Sequence, residues 1–485
     1  MHSEISAQEP PMHPQTATED HSKRNRLVIF LLLISTFIMI LNETIMNVAL
    51  PRLMTELDVT ANAAQWLTTA FLLTMAVVIP VTGWLLQRLH TRTVFLMAMS
   101  FFSLGTLVCA LAPGLGLLVV GRVVQACGTA MMMPLLMTTV ITLVPPHSRG
   151  KTMGNISIVI SVAPAIGPTI SGIILNLLDW RWMFWLILPI ALTALITGFA
   201  KLQNVTEPRK VPLDILSIPL AAIGFGGVVY GLSTIGEGGG EAAMPVWVPL
   251  AVGAVVLALF IWRQIVLGPK DRALLDLRTF RVKIFTVAVI MMGLSMMALF
   301  GMIILLPIYM QNVLGMEPLQ TGLMLLPGGL TMGLLAPIVG RLFDAFGARK
   351  LVIPGAMAVC AAMWIMASFG TETALAMVLT GHILLSAGLA FLFTPLFSSS
   401  LGSLPKELYS HGSAIIGTVQ QVAGAAGIAL FVSIMSLRMF DAMEDGMELV
   451  PATAEGLQLA FSVGASISIL LIVAGFFVRR PPDQR

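Results

Sequence analysis

Charge is what this sequence has least of. Only 11% of its 485 residues are Asp, Glu, Lys or Arg, while 57% are hydrophobic and the mean hydropathy is +0.92. An ordinary soluble chain is about one quarter charged. A water-facing surface cannot be assembled from so little, so a cytosolic enzyme is excluded and lipid is the expected solvent. Cysteine is scarce too. Cys109, Cys127 and Cys360 each stand alone in an apolar stretch, without the paired spacing of a disulfide framework or a zinc site. The sequence has no GxxxxGK[ST] phosphate loop, no GxGxxG following a strand and no HExxH. Neither ATP, a metal nor any other cofactor is therefore expected to supply the energy or the chemistry. Net charge is only +3, and Lys and Arg come in short clusters between apolar runs, which excludes nucleic acid as a partner.

What the chain has instead is length in its apolar runs. Crossing a hydrocarbon core of about 30 Å takes roughly 20 helical residues. Cutting the sequence at its Pro, Gly and charge clusters gives fourteen runs of that order: 27–50, 63–86, 94–112, 117–143, 151–176, 182–201, 214–234, 246–266, 282–306, 319–342, 350–368, 373–402, 410–437 and 455–478. The seventh and eighth are the least clearly marked, separated by Gly-rich 236–240. If the N-terminus is cytoplasmic, 23 of the 27 basic residues fall on the cytoplasmic side, Arg52, Arg181 and Arg438 fall outside, and Arg122 lies within a span. The positive-inside rule then puts both termini in the cytoplasm. The first apolar run is too long for a signal-peptide core and is expected to stay as an anchor.

The chain also repeats itself. VIPVTGWLLQRLHTR (78–92) aligns with LAPIVGRLFDAFGAR (335–349) at an offset of 257, and GRVVQACGTA (121–130) with GHILLSAGLA (381–390) at 260. Two parallel six-helix bundles with two inserted helices account for both the offset and the count. The expected division is a cytoplasmic N-tail (1–26), a first bundle (27–201), a two-helix linker with its loops (202–281), a second bundle (282–478) and a cytoplasmic C-tail (479–485). Parallel repeats of this kind are a transporter architecture, with the substrate site between the halves.

An ionisable residue inside a span costs at least about 2.5 kcal/mol and is a functional candidate by default. Only Glu43 among the carboxylates and Arg122 among the cations lie deep, with His382 at the repeat position of Arg122. Measured from the outer helix ends at 1.5 Å per residue, Glu43 and Arg122 sit at depths of about 12 and 8 Å, so they can pair. Gln125 and Thr129 continue one face from Arg122, Asn47 lies one turn from Glu43, and Asn42 precedes it; these and Gln420 are candidates for a wet cavity wall. Either a proton relay or a static ion pair fits such a pattern. Gly154, Ala163, Gly167, Pro168, Ser171 and Gly172 form a small-residue series that lets a neighbouring helix approach closely, and ordinary tight packing reads the same way. Thirty-two methionines suit either an adaptable lining or a core.

At these positions the chain resembles the Major Facilitator Superfamily, in particular its fourteen-helix drug/proton antiporters, over about residues 27–478. LNETIMNVALP (41–51) resembles the first-helix motif LDxTIVNVALP, with Asn42 in place of the aspartate and Glu43 beside it. GWLLQRLHTR is similar to the loop motif GxLxDRxGRK, with Gln87 for its aspartate. The repeat copy GRLFDAFGARK keeps Asp344. GRVVQACG resembles RxxQGxG, whose arginine, here Arg122, the family implicates in proton coupling. The fifth-helix series is similar to the antiporter motif Gx8Gx3GPx2GG, and WRWMF (180–184) resembles a further signature. The Asn-Glu-Thr variant is most like that of the lincomycin-type multidrug exporters.

The resemblance implies proton-coupled export of amphiphilic drugs or toxic compounds by alternating access, from a bacterial inner (plasma) membrane and by a monomer. Its partners would be a small-molecule substrate, protons and the lipid bilayer. It assigns proton coupling to Glu43 and Arg122, and a cytoplasmic gate to Gly83, Gln87, Arg88, Arg92, Gly340, Asp344 and Arg349. An exporter dedicated to one metabolite is the alternative on the same fold, and a transporter-like receptor the alternative of another class.

Overall fold

Each apolar run becomes a helix. The computed structural model describes residues 16–59, 61–205, 208, 212–236, 245 and 247–478, and among these there is no strand. The first bundle comprises α1 (Thr16–Glu56), α2 (Ala61–Arg88), α3 (Thr91–Ala110), α4 (Leu115–Leu143), α5 (Arg149–Leu177) and α6 (Trp182–Lys201). The inserted pair is α7 (Ser217–Gly236) and α8 (Trp247–Leu267). The second bundle comprises α9 (Lys283–Ile308), α10 (Pro318–Phe346), α11 (Arg349–Ala367), α12 (Leu375–Gly402), α13 (Tyr409–Glu444) and α14 (Leu449–Gly475). Thirteen of these are long and apolar enough to cross a membrane; α7 contributes a shorter apolar stretch, Ser217–Leu232, among its described residues.

The helix bodies follow hydropathy, and the ends of α10 show local capping as well. α10 opens on Pro318 behind a capping box in which Glu317 and Gln320 bond each other's backbone, and it stops at Gly347, whose φ of 78° continues no right-handed helix. α1 begins at Thr16, so residues 16–26, expected as tail, are helical. The reason is that hydropathy registers only the part crossing lipid, while Glu19, Lys23 and Arg24 extend a helix equally well in water. Residues 1–15, 237–240 and 479–485, which include most of the expected tails and the Gly-rich divider, lie outside the described residues.

Packing repeats with the sequence. α1 packs on α5, α4 and α6, and α9 on α13, α12 and α14; α3 packs on α4 and α6, and α11 on α12 and α14. Between the halves, α5 lies along α10 and α2 along α13, while α4 touches α13 and α12 touches α5. Exchanging the two bundles maps each of these contacts onto its partner, as a pseudo-twofold axis requires. The inserted pair is outside this symmetry: α7 packs on α8 and also on both α2 and α13. Ala76, Val229 and Ala425 are buried together at that three-helix contact, and the Trp66 ring stacks on Tyr230 at 5.9 Å.

Candidate functional site

The deepest polar group depends on three glycines. Between α3 and α4, a Cβ added at Gly121 would stand 2.6 Å from Cys109 Sγ, one at Gly105 would run into the backbone of Gln125, and one at Gly128 would meet the Ala98 carbonyl. Only glycine lets the two helices come this close. Arg122, beside this contact and turned toward α1 and α2, is fully buried. Its Nε donates to the Leu67 carbonyl at 3.3 Å, and its Nη1 to Asn42 Oδ1 at 3.3 Å and Gln125 Oε1 at 2.9 Å. Gln125 Nε2 donates onward to Thr106 Oγ1 at 2.8 Å, and Thr106 to the Phe102 carbonyl at 2.7 Å. The Phe71 ring lies 4.0 Å from the guanidinium carbon. Hydrogen bonds and a ring face together offset the large cost of desolvating an arginine. Thr129 spends its hydroxyl on the Gln125 carbonyl, 3.2 Å away.

All three oxygens are neutral. Depth suggests a pair between Arg122 and Glu43, but the guanidinium bonds Asn42, one residue earlier. Adjacent helical positions differ by about 100° around the axis, so Asn42 faces α4 and Glu43 is turned aside. The face that Glu43 shares with Leu32, Thr36, Met39 and Met46 is buried at all four of those positions, and Glu43 itself is half-buried. Thr44 faces α5. Its hydroxyl bonds the Leu41 carbonyl at 3.0 Å and reaches the Ala163 carbonyl at 3.5 Å, and a Cβ at Gly167 would collide with it.

The small-residue series serves several neighbours. Ala163 and Gly167 meet α1, buried Ser171 lies against Met183 of α6, and Gly172 has open space beside it. Gly154 meets α10, where an added Cβ would be 2.5 Å from the Ala336 carbonyl. The side chains of Asn47 and Pro168 lie outside the described residues. In the second half, His382 is buried with Nε2 2.9 Å from the Leu325 carbonyl and Nδ1 without a hydrogen-bond partner. Gln420 is half-buried on α13. Met131, Met132, Met137, Met291, Met292 and Met296 are core residues.

The halves close on one another where α5 begins and α10 ends. Asp344 on α10 accepts from the backbone N–H of Gly150 at 2.8 Å and of Lys151 at 2.9 Å, so its carboxylate caps the N-terminus of α5 from across the interface. Gly150 and Gly340 touch by their backbones, and a Cβ on Gly83 would be 3.1 Å from Ala414. Two hydroxyl pairs also join the halves: Thr138 with Ser413 at 3.0 Å and Ser157 with Thr394 at 2.9 Å. Each of these contacts falls between mid-helix and the Asp344 end.

Comparison with known proteins agrees with this geometry. The sequence pattern of the Major Facilitator Superfamily matches residues 32–428. The chain belongs to that superfamily. It is 40% identical over 471 residues to the lincomycin resistance protein of Listeria monocytogenes, covering 96% of this chain and 99% of that one. To the lincomycin resistance protein of Bacillus subtilis it is 41% identical over 460 residues, covering 93% and 95%. The fold matches the solved structure of a proton:xylose symporter of the superfamily with a TM-score of 0.66 at 17% identity, covering 96% of this chain and 98% of that one. This facilitator is therefore a multi-pass membrane transporter and not an enzyme, with relatives that are named for drug resistance.

Two residues that the sequence places at the gate, Arg92 and Arg349, make their contacts inside their own bundles. Arg92 Nη2 donates to the Phe199 carbonyl at 2.6 Å, and the guanidinium of Arg349 lies 5.9 Å from the Phe476 ring. Both contacts stay within one bundle, because α3 and α11 pack on the sixth helix of their own half and not across the interface. Gln87 is half-buried and Arg88 exposed near the end of α2. The hydroxyl pairs had no signal in sequence: a Ser or Thr inside a span usually bonds the carbonyl one turn back, as Ser413 and Ser157 also do.

Proposed function

We propose that this facilitator exports amphiphilic compounds in exchange for protons, by rocking residues 27–201 against 282–478 while 202–281 follows as a linker. It acts as a monomer in the bacterial inner membrane, with both termini and the Asp344 end cytoplasmic. The arrangement described above is then the outward-facing one. Lincomycin, the compound in its relatives' names, is the first substrate to try.

One observation carries the coupling. Arg122 gives three of its five N–H donors to Leu67, Asn42 and Gln125, and none of these three bonds involves Glu43. A carboxylate that makes none of these bonds can gain or lose a proton without breaking them. Glu43 is thus the proton carrier, loading from one side and releasing to the other as the opening changes face, while Arg122 holds the local field. His382, in the equivalent place without a charge partner, makes the second half the passive one.

The test is uphill transport in vesicles with an imposed proton gradient. A potential of about 100 mV drives one charge with roughly 2.3 kcal/mol, enough for about 50-fold accumulation of a neutral substrate exchanged for one proton. Glu43→Gln should lose that accumulation and keep downhill exchange, whereas Glu43→Asp should retain part of it. Full proton-driven accumulation by Glu43→Gln would overturn the assignment.

A further inference from the structure

Arg92 and Arg349 occupy equivalent positions of the internal repeat, and each sits on a Gly-Phe pair at the end of its bundle's sixth helix. The guanidinium of Arg92 lies 5.3 Å from the Phe199 ring centroid, and that of Arg349 lies 5.9 Å from Phe476. The preceding glycines do the same work in both halves. An added Cβ at Gly198 would enter the Phe95 ring, and one at Gly475 would press on Ile353 at 3.3 Å. Each glycine brings its helix tightly against α3 or α11 and leaves the phenylalanine standing out beneath the arginine.

Beside this contact in the first half, α3 and α6 enclose a groove of about 330 Å³ lined by Leu96, Ser100, Leu195, Ile196 and Phe199. It faces away from the interface between the halves: Ile196 is 65% and Phe199 63% exposed, so its mouth opens to the acyl region of the bilayer. Leu96 and Ser100 follow Arg92 by four and eight residues, making a row of about 12 Å that runs from the arginine into the membrane. At the arginine end the donors are not used up. Half-buried Arg92 gives Nη2 to the Phe199 carbonyl and keeps its Nε buried, so Nη1 is the donor open to a ligand. Exposed Lys201 ends α6 two residues beyond Phe199.

We propose that this groove binds an anionic phospholipid, with one acyl chain along Leu96, Ser100, Leu195 and Ile196 and the headgroup phosphate accepting from the Arg92 guanidinium. Charge complementarity and the row of apolar side chains leading from one cation specify both parts of the ligand. A soluble phosphate would meet only the first. An exported compound would have to enter from the outer flank of the bundle, away from the space between the halves.

The full chain purified in detergent can be titrated with phosphatidylglycerol or with phosphatidylcholine of the same acyl chains, and bound lipid counted by native mass spectrometry. The parent should prefer phosphatidylglycerol by about fivefold, the factor one cation near an anionic surface is worth. Arg92→Gln should bring the ratio near one, and Arg92→Lys should keep it. Ser100→Trp, a change at an exposed position that leaves the arginine in place, should lower binding of both lipids. Inorganic phosphate at the same concentration should displace neither. An unchanged ratio in Arg92→Gln, unchanged binding in Ser100→Trp, or displacement by inorganic phosphate would overturn the proposal.

Discussion

Removing the Asp344 carboxylate should open the end of the molecule that is closed here. Asp344 makes two hydrogen bonds to backbone N–H groups at the start of α5, at 2.8 and 2.9 Å, across the boundary between the bundles. These bonds can exist only while α5 and α10 are together. A hydrogen bond to a charged group contributes about 1.5 to 3 kcal/mol, and the helix dipole adds to it. Half-exposure at this end reduces the pair to about 2 to 4 kcal/mol, which changes an opening equilibrium on the order of 30- to 1,000-fold. The assay is labelling of Ser157→Cys by a membrane-impermeant maleimide, in a background lacking the three native cysteines. Ser157 is buried against Thr394 between the halves and reacts only from the open state. Asp344→Ala should label at least 30-fold faster than the parent, with Asp344→Asn in between because it keeps an acceptor and loses the charge. Labelling rates within a factor of two of one another would refute the cap as a conformational lock.

Three further outcomes follow from the packing. Gly167→Leu should insert normally and lose export, and the overpacking of Gly167→Ala, worth about 1 to 3 kcal/mol, should be partly relieved by Thr44→Ala when melting is measured in detergent. Gln125→Leu strips a partner from Arg122 and from Thr106, so the melting temperature should fall by the equivalent of about 2 kcal/mol, and an unchanged melt would show that the network is not under tension. Bonding to Arg263 holds the Asp214 carboxyl below its ordinary value of 3.8. A depressed carboxyl favours the fold above its unfolded pKa and stops doing so as pH falls through the folded one. The melting difference between Arg263→Gln and the parent should therefore be full at neutral pH and shrink below pH 3.8.

The helices were legible because lipid imposes a length: each run of apolar residues long enough to cross is forced to be helical by its own backbone. Their ends were not. α1 starts at Thr16, α13 runs on to Glu444 and α14 begins at Leu449, all beyond the apolar runs, because a helix continues outside lipid where hydropathy no longer marks it. In the site, Arg122 stood out since a buried arginine is rare in any span. Depth could not say which α1 residue would meet it, because a single step along a helix turns a side chain by about 100° and separates Asn42 from Glu43. Asp344 was marked by its repeat partner Gln87, yet that its carboxylate would cap a helix of the other bundle depended on packing that no local pattern encodes.

The insertion of α7 and α8 has a consequence for how the machine turns. Its two halves meet along two flanks that symmetry would make equal, α2 with α13 and α5 with α10, but one insertion can cover only one of them. On the covered flank, α7 rests on both α2 and α13, whereas among the described residues neither inserted helix packs comparably on α5 or α10. In the rocking motion proposed above the pivot would be lopsided, with the seam between α5 and α10 the flank on which the surrounding lipid could follow.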